Sequence, residues 1–164
     1  MMSIYNSISI SLKTKRFKIK KTNFKKLQID CQKVEPKTAK VNKKKVKLTA
    51  DELYEGISVL KAELMKKGEA TRNFAQERNR EALEGIIGNV MQSFGGKELY
   101  PSIQAKAAHL LYFVVKNHPF VDGNKRSGAY AFVWFLEKTK VLNIHKLTPT
   151  ALTALTILIA ESNS

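Results

Sequence analysis

The stretch His118-Pro119-Phe120-Val121-Asp122-Gly123-Asn124-Lys125-Arg126-Ser127-Gly128 sets a base, a carboxylate, a glycine, an amide and two cations close together between apolar segments. Residues 103–116 before it are apolar on nearly every helical face (Ile103, Ala107, Ala108, Leu110, Leu111, Phe113, Val114, Val115). Residues 129–136 after it read Ala-Tyr-Ala-Phe-Val-Trp-Phe-Leu. Helices this apolar all round are buried, so the pattern predicts a tight loop held between two core helices. The second helix is expected to start at Gly123 or Asn124. Its free backbone N–H groups, reinforced by Lys125 and Arg126, then point at whatever binds in the loop. Such a helix start is an anion site, and phosphate is the usual occupant.

Working outward, Thr49 with Glu52 three residues on reads as a capping box, followed by apolar residues at Leu53, Ile57, Leu60 and Leu64 and a terminating Gly68. A second helix is expected from about Arg72 through Asn89, with Phe74, Leu83, Ile86, Ile87 and Val90 inward and the cluster Gln76-Glu77-Arg78-Asn79-Arg80 and Glu81 on a solvated face. Gly95-Gly96 and Pro101 break helices, so residues 94–101 read as a short hairpin or loop. Residues 138–147 read as a polar connection. Thr148-Pro149 then opens a closing helix through Ala160, apolar at Leu152, Leu155, Ile157, Leu158 and Ile159. No internal repeat is visible, and the sum is an all-α bundle.

The composition narrows the function classes. A chain of 164 residues, 43% of them hydrophobic, suits one ordinary core with an extension. Cys31 is the single cysteine, and no Cys/His spacing resembles a zinc site, which implies a reducing, cytoplasmic setting. The first twelve residues lack the form of a secretory signal, and the longest apolar run, residues 129–136, is far short of a membrane span; a soluble protein is expected. Residues 1–47 hold fifteen Lys or Arg against Asp30 and Glu35, a net of +13 out of the total +15. The basicity therefore belongs to an extension, residues 1–47, and not to the domain, residues 48–164. That extension reads first as a flexible, solvated tail and second as a nucleic-acid-binding segment acting by counterion release. Its acid-poor character also superficially resembles an organellar transit segment, against which the scarcity of Arg counts.

Within the loop, His118 has the character of a general base, since an imidazole titrating near neutrality can take the proton of a hydroxyl that attacks phosphorus. His109 and His145 lack such company and read as a helix residue and a loop residue. Asp122 offers a hard carboxylate oxygen suited to Mg²⁺, or alternatively a cap for the helix that follows. Gly123 permits close backbone approach to a phosphate, while Asn124 and Arg126 can donate to its oxygens. Phe120 anchors the loop in the core and Pro119 stiffens it.

The string His-Pro-Phe-Val-Asp-Gly-Asn-Lys-Arg resembles the signature loop of the Fic/Doc (Fido) family, toxins and effectors that modify proteins with parts of a nucleotide. Residues 88–101 are similar to the segment that carries the flap over the active site in Doc-like members. The resemblance covers roughly the last hundred residues. It implies a transferase that acts on a protein hydroxyl, with ATP or another nucleotide as co-substrate and Mg²⁺ as cofactor. His118 would be catalytic, Asp122 would hold the metal, and Gly123, Asn124, Lys125 and Arg126 would bind nucleotide phosphates. Lys97, Leu99 and Tyr100 of the flap would position the target by strand addition. Many members carry Gly where this chain has Lys125 and a second Arg where it has Ala129. Both differences resemble Doc and favour phosphoryl transfer over AMP transfer (AMPylation). The family's inhibitory pattern is missing, because Asp51 and Arg80 stand where Ser or Thr would precede Glu55-Gly56 and Glu84-Gly85. An antitoxin or other inhibitory partner is therefore expected. The chain stops at Ser164, where family domains usually continue, and so reads as a truncated member. The alternatives are an inactive helical binding module that uses residues 1–47 for nucleic acid, and a decayed remnant.

Overall fold

The computed structural model describes residues 47–79, 81–143 and 145–162. The basic extension, apart from Lys47, lies outside them, as does Arg80. The described residues form an all-α fold with one small hairpin: α1 (Ala50–Lys66), α2 (Ala82–Met91), β1 (Ser93–Phe94), β2 (Lys97–Glu98), α3 (Ile103–Asn117), α4 (Asn124–Lys138) and α5 (Pro149–Glu161).

Local chemistry sets the helix ends. The Thr49 hydroxyl caps the start of α1, accepting from the Glu52 N–H at 3.4 Å and donating to the Glu52 carboxylate at 3.0 Å, so the expected Thr–Glu pair forms through the hydroxyl. At its other end Gly68 takes φ +69°, the Gly68 N–H donates to Met65 O, and the Glu69 N–H donates to Leu64 O, a Schellman close. Ser102 and Thr148 cap α3 and α5 with the same hydroxyl-to-amide bond.

The α3–α4 pair is the centre of the bundle. Ala107, Leu110, Leu111, Val114 and Val115 of α3 and Ala129, Ala131 and Phe135 of α4 are all but inaccessible to solvent. The two helices approach closely at Gly128, where an added Cβ would meet Val115 Cγ2 at 3.0 Å. Helix α1 lies against α2 and α4, α2 against α1 and α3, and α5 against both α3 and α4. The α1 stripe Leu53, Ile57, Leu60 and Leu64 is buried as its spacing predicts.

Two expectations are corrected, the second helix and the polar connection. The helix placed at residues 72–89 begins only at Ala82. Residues 72–79 instead run as a series of turns beside the signature loop, touching it through isolated bridges, parallel at Phe74 and Asp122 and antiparallel at Glu77 and Phe120. Phe74, Leu83, Ile86, Ile87 and Val90 are nevertheless buried as expected. The Ala75 and Arg78 N–H groups and the Gln76 carbonyl pair with the loop, the Phe74 and Gln76 N–H groups close turns onto Thr71 O and Asn73 O, and Ala75 at φ 51° and Glu81 at φ 64° are incompatible with helix. The solvated character expected of this stretch holds, with Gln76, Arg78, Asn79 and Glu81 exposed, but Glu77 accepts from the Leu83 N–H and Arg78 donates to the loop. In α5 the buried residues are Leu152 and Thr156, whereas Leu155 is exposed and Ile157, Leu158 and Ile159 are half-buried. The connection after α4 is also less polar in its packing than in its composition, because Val141, Leu142 and Leu147 pack against the core.

Candidate active site

The loop between α3 and α4 begins at His118, which takes the left-handed conformation (φ 48°, ψ 55°) as α3 ends. It finishes at Gly123, also left-handed at φ 83°, from which α4 starts at Asn124. The Ser127 N–H bonds to Gly123 O, so the amides of Asn124, Lys125 and Arg126 are the ones without an intrahelical acceptor. No side chain caps them, and Asp122 does not serve as the cap that its residue type also suggested.

Phe120 is inaccessible to solvent and anchors the loop in the core. Around it the backbone is stitched to residues 75–78. Ala75 N–H donates to Asp122 O at 2.9 Å, Val121 N–H to Gln76 O at 2.7 Å, and Arg78 N–H to Pro119 O at 2.8 Å. The Asn124 side chain closes the loop from the other side. Its Oδ1 accepts from Phe120 N–H and its Nδ2 donates to Phe120 O, both at 2.9 Å. The amide group that the sequence offers to a phosphate is thus engaged with the loop's own backbone, and what Asn124 presents unengaged is its N–H at the helix start.

Arg126 is held three ways. Nη1 donates to Glu69 O at 2.8 Å, Nη2 lies 3.8 Å from Asp122 Oδ2, and the guanidinium sits 4.5 Å from the centroid of the Phe74 ring. The pairing with Asp122 is half-exposed, so both groups remain available to a ligand.

These residues open onto a cavity of about 500 Å³, within the range of small-molecule sites. His118, Asp122, Gly123, Asn124, Lys125 and Arg126 all line it, as do Arg78 and Val121. The opposite wall is α5, through Thr153, Thr156 and Ile157. The hydroxyls of both threonines donate to carbonyls of their own helix, Pro149 O and Leu152 O. The loop residues singled out in the sequence are therefore brought to one cavity. Arg78 and the α5 wall come from segments in which the sequence carries no chemical pattern. Asn73 and Asn79, turn-favouring residues inside a nominal helix, are the local sign that Arg78 leaves that helix.

The flap residues stand apart from the cavity lining. Gly95 and Gly96, at φ 58° and 77°, make the two-residue turn of the hairpin, with Ser93 opposite Glu98 and Phe94 opposite Lys97. Lys97 and Leu99 are exposed, and Phe94 is 91% exposed. Tyr100 stacks on the His109 ring at 3.7 Å, and His109 Nδ1 bonds to Ala105 O, so this histidine is a helix packing residue. Glu98 is tied to Lys106 Nζ at 2.7 Å.

No cluster of three or more potential metal-ligating side chains occurs among the described residues. A lone carboxylate facing a cavity, Asp122, fits a magnesium ion that takes its other ligands from phosphate oxygens and water.

An all-helical fold that brings an imidazole, a carboxylate and a free helix start to one cavity has the equipment of a transferase of phosphorus-containing groups. The model of the Fic/DOC family matches residues 41–136, more than half of the chain, and the chain belongs to that family. The match ends within α4, so the α5 wall lies beyond it. Neither a curated protein nor a solved structure matches the chain. Among the described residues no helix is long and apolar enough to cross a membrane.

Proposed function

We propose that this Fic-type transferase moves the terminal phosphate of a nucleoside triphosphate, ATP in the first instance, to a hydroxyl of a target protein. The observation that carries the reading is the cavity itself, in which His118 and Asp122 flank the uncapped start of α4. His118 takes the proton of the target hydroxyl as its oxygen bonds to the γ-phosphorus. The bond from that phosphorus to the bridging oxygen breaks, and the nucleoside diphosphate leaves. The N–H groups of Asn124, Lys125 and Arg126, beside Gly123 and the Arg126 guanidinium, hold the phosphate oxygens as charge redistributes. Asp122 would hold Mg²⁺, which when bound neutralises phosphate charge. Lys97, Leu99 and Tyr100 would place the target segment, with the backbone of the exposed hairpin available for strand addition.

Phosphate rather than AMP transfer is favoured by position 125, where an exposed Lys crowds the helix start and favours a terminal phosphate with more negative charge. Position 129 points the same way, because a buried Ala offers no second clamp for a leaving pyrophosphate. A separate antitoxin-like protein would supply the restraint, since the inhibitory sequence pattern is missing at Glu55-Gly56 and Glu84-Gly85.

The test is to incubate the full chain, Mg²⁺ and a protein extract with ATP labelled at either the α- or the γ-phosphate. The expected result is protein label from the γ-position alone, lost in His118→Ala while that variant still binds ATP. Label from the α-position would make the protein an adenylyltransferase. Label from neither, with folded protein, would leave a binding module or a remnant.

A further inference from the structure

We propose that Arg78, which lies outside the signature loop, is a second phosphate-binding arginine of this cavity and grips the outer phosphates of the nucleotide. The inference rests on the nucleotide reading above and adds a residue to it.

Three observations converge on Arg78. Its backbone N–H donates to Pro119 O at 2.8 Å and its Nε donates to Phe120 O at 3.0 Å, so both main chain and side chain are fastened to the loop that carries His118. A guanidinium held through Nε has its plane set and keeps the Nη donors for another acceptor. Arg78 lines the same cavity as His118, Asp122 and Arg126. Finally, no carboxylate among the described residues pairs with it, and the neighbouring Glu77 carboxylate is occupied by the Leu83 N–H.

Arg126 differs in that its donors already meet Glu69 O and approach Asp122. The carboxylate lining the cavity is Asp122, against the cations Arg78, Lys125 and Arg126. That excess of positive charge, set against an uncapped helix start, suits a polyphosphate better than a single phosphate. Position 129, a buried alanine, cannot provide a further cation from α4. Arg78 provides one from the turn segment before α2.

The experiment is calorimetric titration of the full chain with Mg²⁺ and ATP, ADP or AMP, for the parent, Arg78→Gln, Arg78→Lys and Arg126→Gln. Loss of charge-assisted bonds to phosphate is expected to weaken ATP binding to Arg78→Gln by about 10–100-fold. The loss should shrink from ATP to ADP to AMP. Arg78→Lys, which keeps the stem and charge without the fork, should fold and lose less, in the same order. Equal losses for all three nucleotides in either variant would mean that Arg78 only latches the loop, and an unchanged ATP affinity in Arg78→Gln would also overturn the proposal. If Arg126→Gln weakens ATP while Arg78→Gln does not, the proposal falls and the nucleotide reading stands. If the parent binds none of the three, both fall.

Discussion

Asn124 and Phe120 exchange two hydrogen bonds, side-chain amide to backbone, each 2.9 Å long and out of contact with water. The pair ties the first residue of α4 to the anchored centre of the loop and fixes the aim of the amides that follow. Asn124→Asp keeps the acceptor for the Phe120 N–H but sets a carboxylate oxygen against the Phe120 carbonyl. A buried polar group left unpaired costs about 1–3 kcal/mol, and a charged one more. The variant should melt several degrees below the parent and lose nucleotide affinity. An unchanged melting temperature would show that the loop holds its form without this pair.

Gly123 is constrained twice, by its positive φ of 83° and by Phe74, whose Cε2 would lie 2.3 Å from an added Cβ. The Phe74 ring cannot yield freely because it is buried and carries the Arg126 guanidinium on its face. Gly123→Ala should therefore destabilise the protein by about 1–3 kcal/mol or more. Gly85→Ala, in α2 with nothing within 4 Å, should raise stability by up to about 1 kcal/mol. Thermal melts of the two single variants moving in the same direction would refute the argument.

Lys106 is 7% exposed, and the carboxylate that accompanies it is Glu98, on β2. The ion pair links the hairpin to α3. Glu98→Gln weakens that link and leaves a nearly buried ammonium without its charge partner, at a cost of about 1–3 kcal/mol. The loss should be local to the hairpin. Hydrogen exchange should speed up at the Leu99 amide, which bonds to Gln92 O beside the hairpin, while α4 amides stay protected. Unchanged exchange at Leu99 would mean that the hairpin keeps its place without Lys106.

The Glu52 carboxyl is held below its ordinary value of 4.5, first by its hydrogen bond with Lys138 and then by that with Thr49. A folded-state value below the unfolded one contributes stability that is complete above the ordinary value and is lost as pH falls through the folded value. The group is exposed, so the contribution is that of a surface pair, about 0.2–1 kcal/mol. Parent and Glu52→Gln should differ in melting temperature near neutral pH by this small amount. The gap should close on acidification below 4.5. A gap that persists in acid would assign the effect to something other than the charge on Glu52.

Much of the frame was legible because its signals are local. Thr49 with Glu52, Gly68, and Thr148 before Pro149 act within one helical turn, so the ends of α1 and α5 fall where the sequence places them. The loop from His118 to Arg126 was equally legible, since two strongly apolar segments leave it no other place than between core helices. The surroundings of the loop were not legible. Residues 74–78 contain good helix formers, and their departure from helix is fixed by partners more than forty residues away at Pro119, Val121 and Asp122.

The sequence by itself determined the all-helical class, the core stripes and a signature loop whose residues carry their chemistry in their types. Tertiary structure alone decided which donors stay unengaged at the cavity. It turned the Asn124 amide back on Phe120, brought Arg78 across from a distant segment, and closed the far wall with Thr153, Thr156 and Ile157 of α5. The reason is physical: capping and helical periodicity are satisfied within a few residues, whereas a loop's buried N–H and C=O groups accept whatever partners the packed chain brings, and sequence spacing does not encode that pairing.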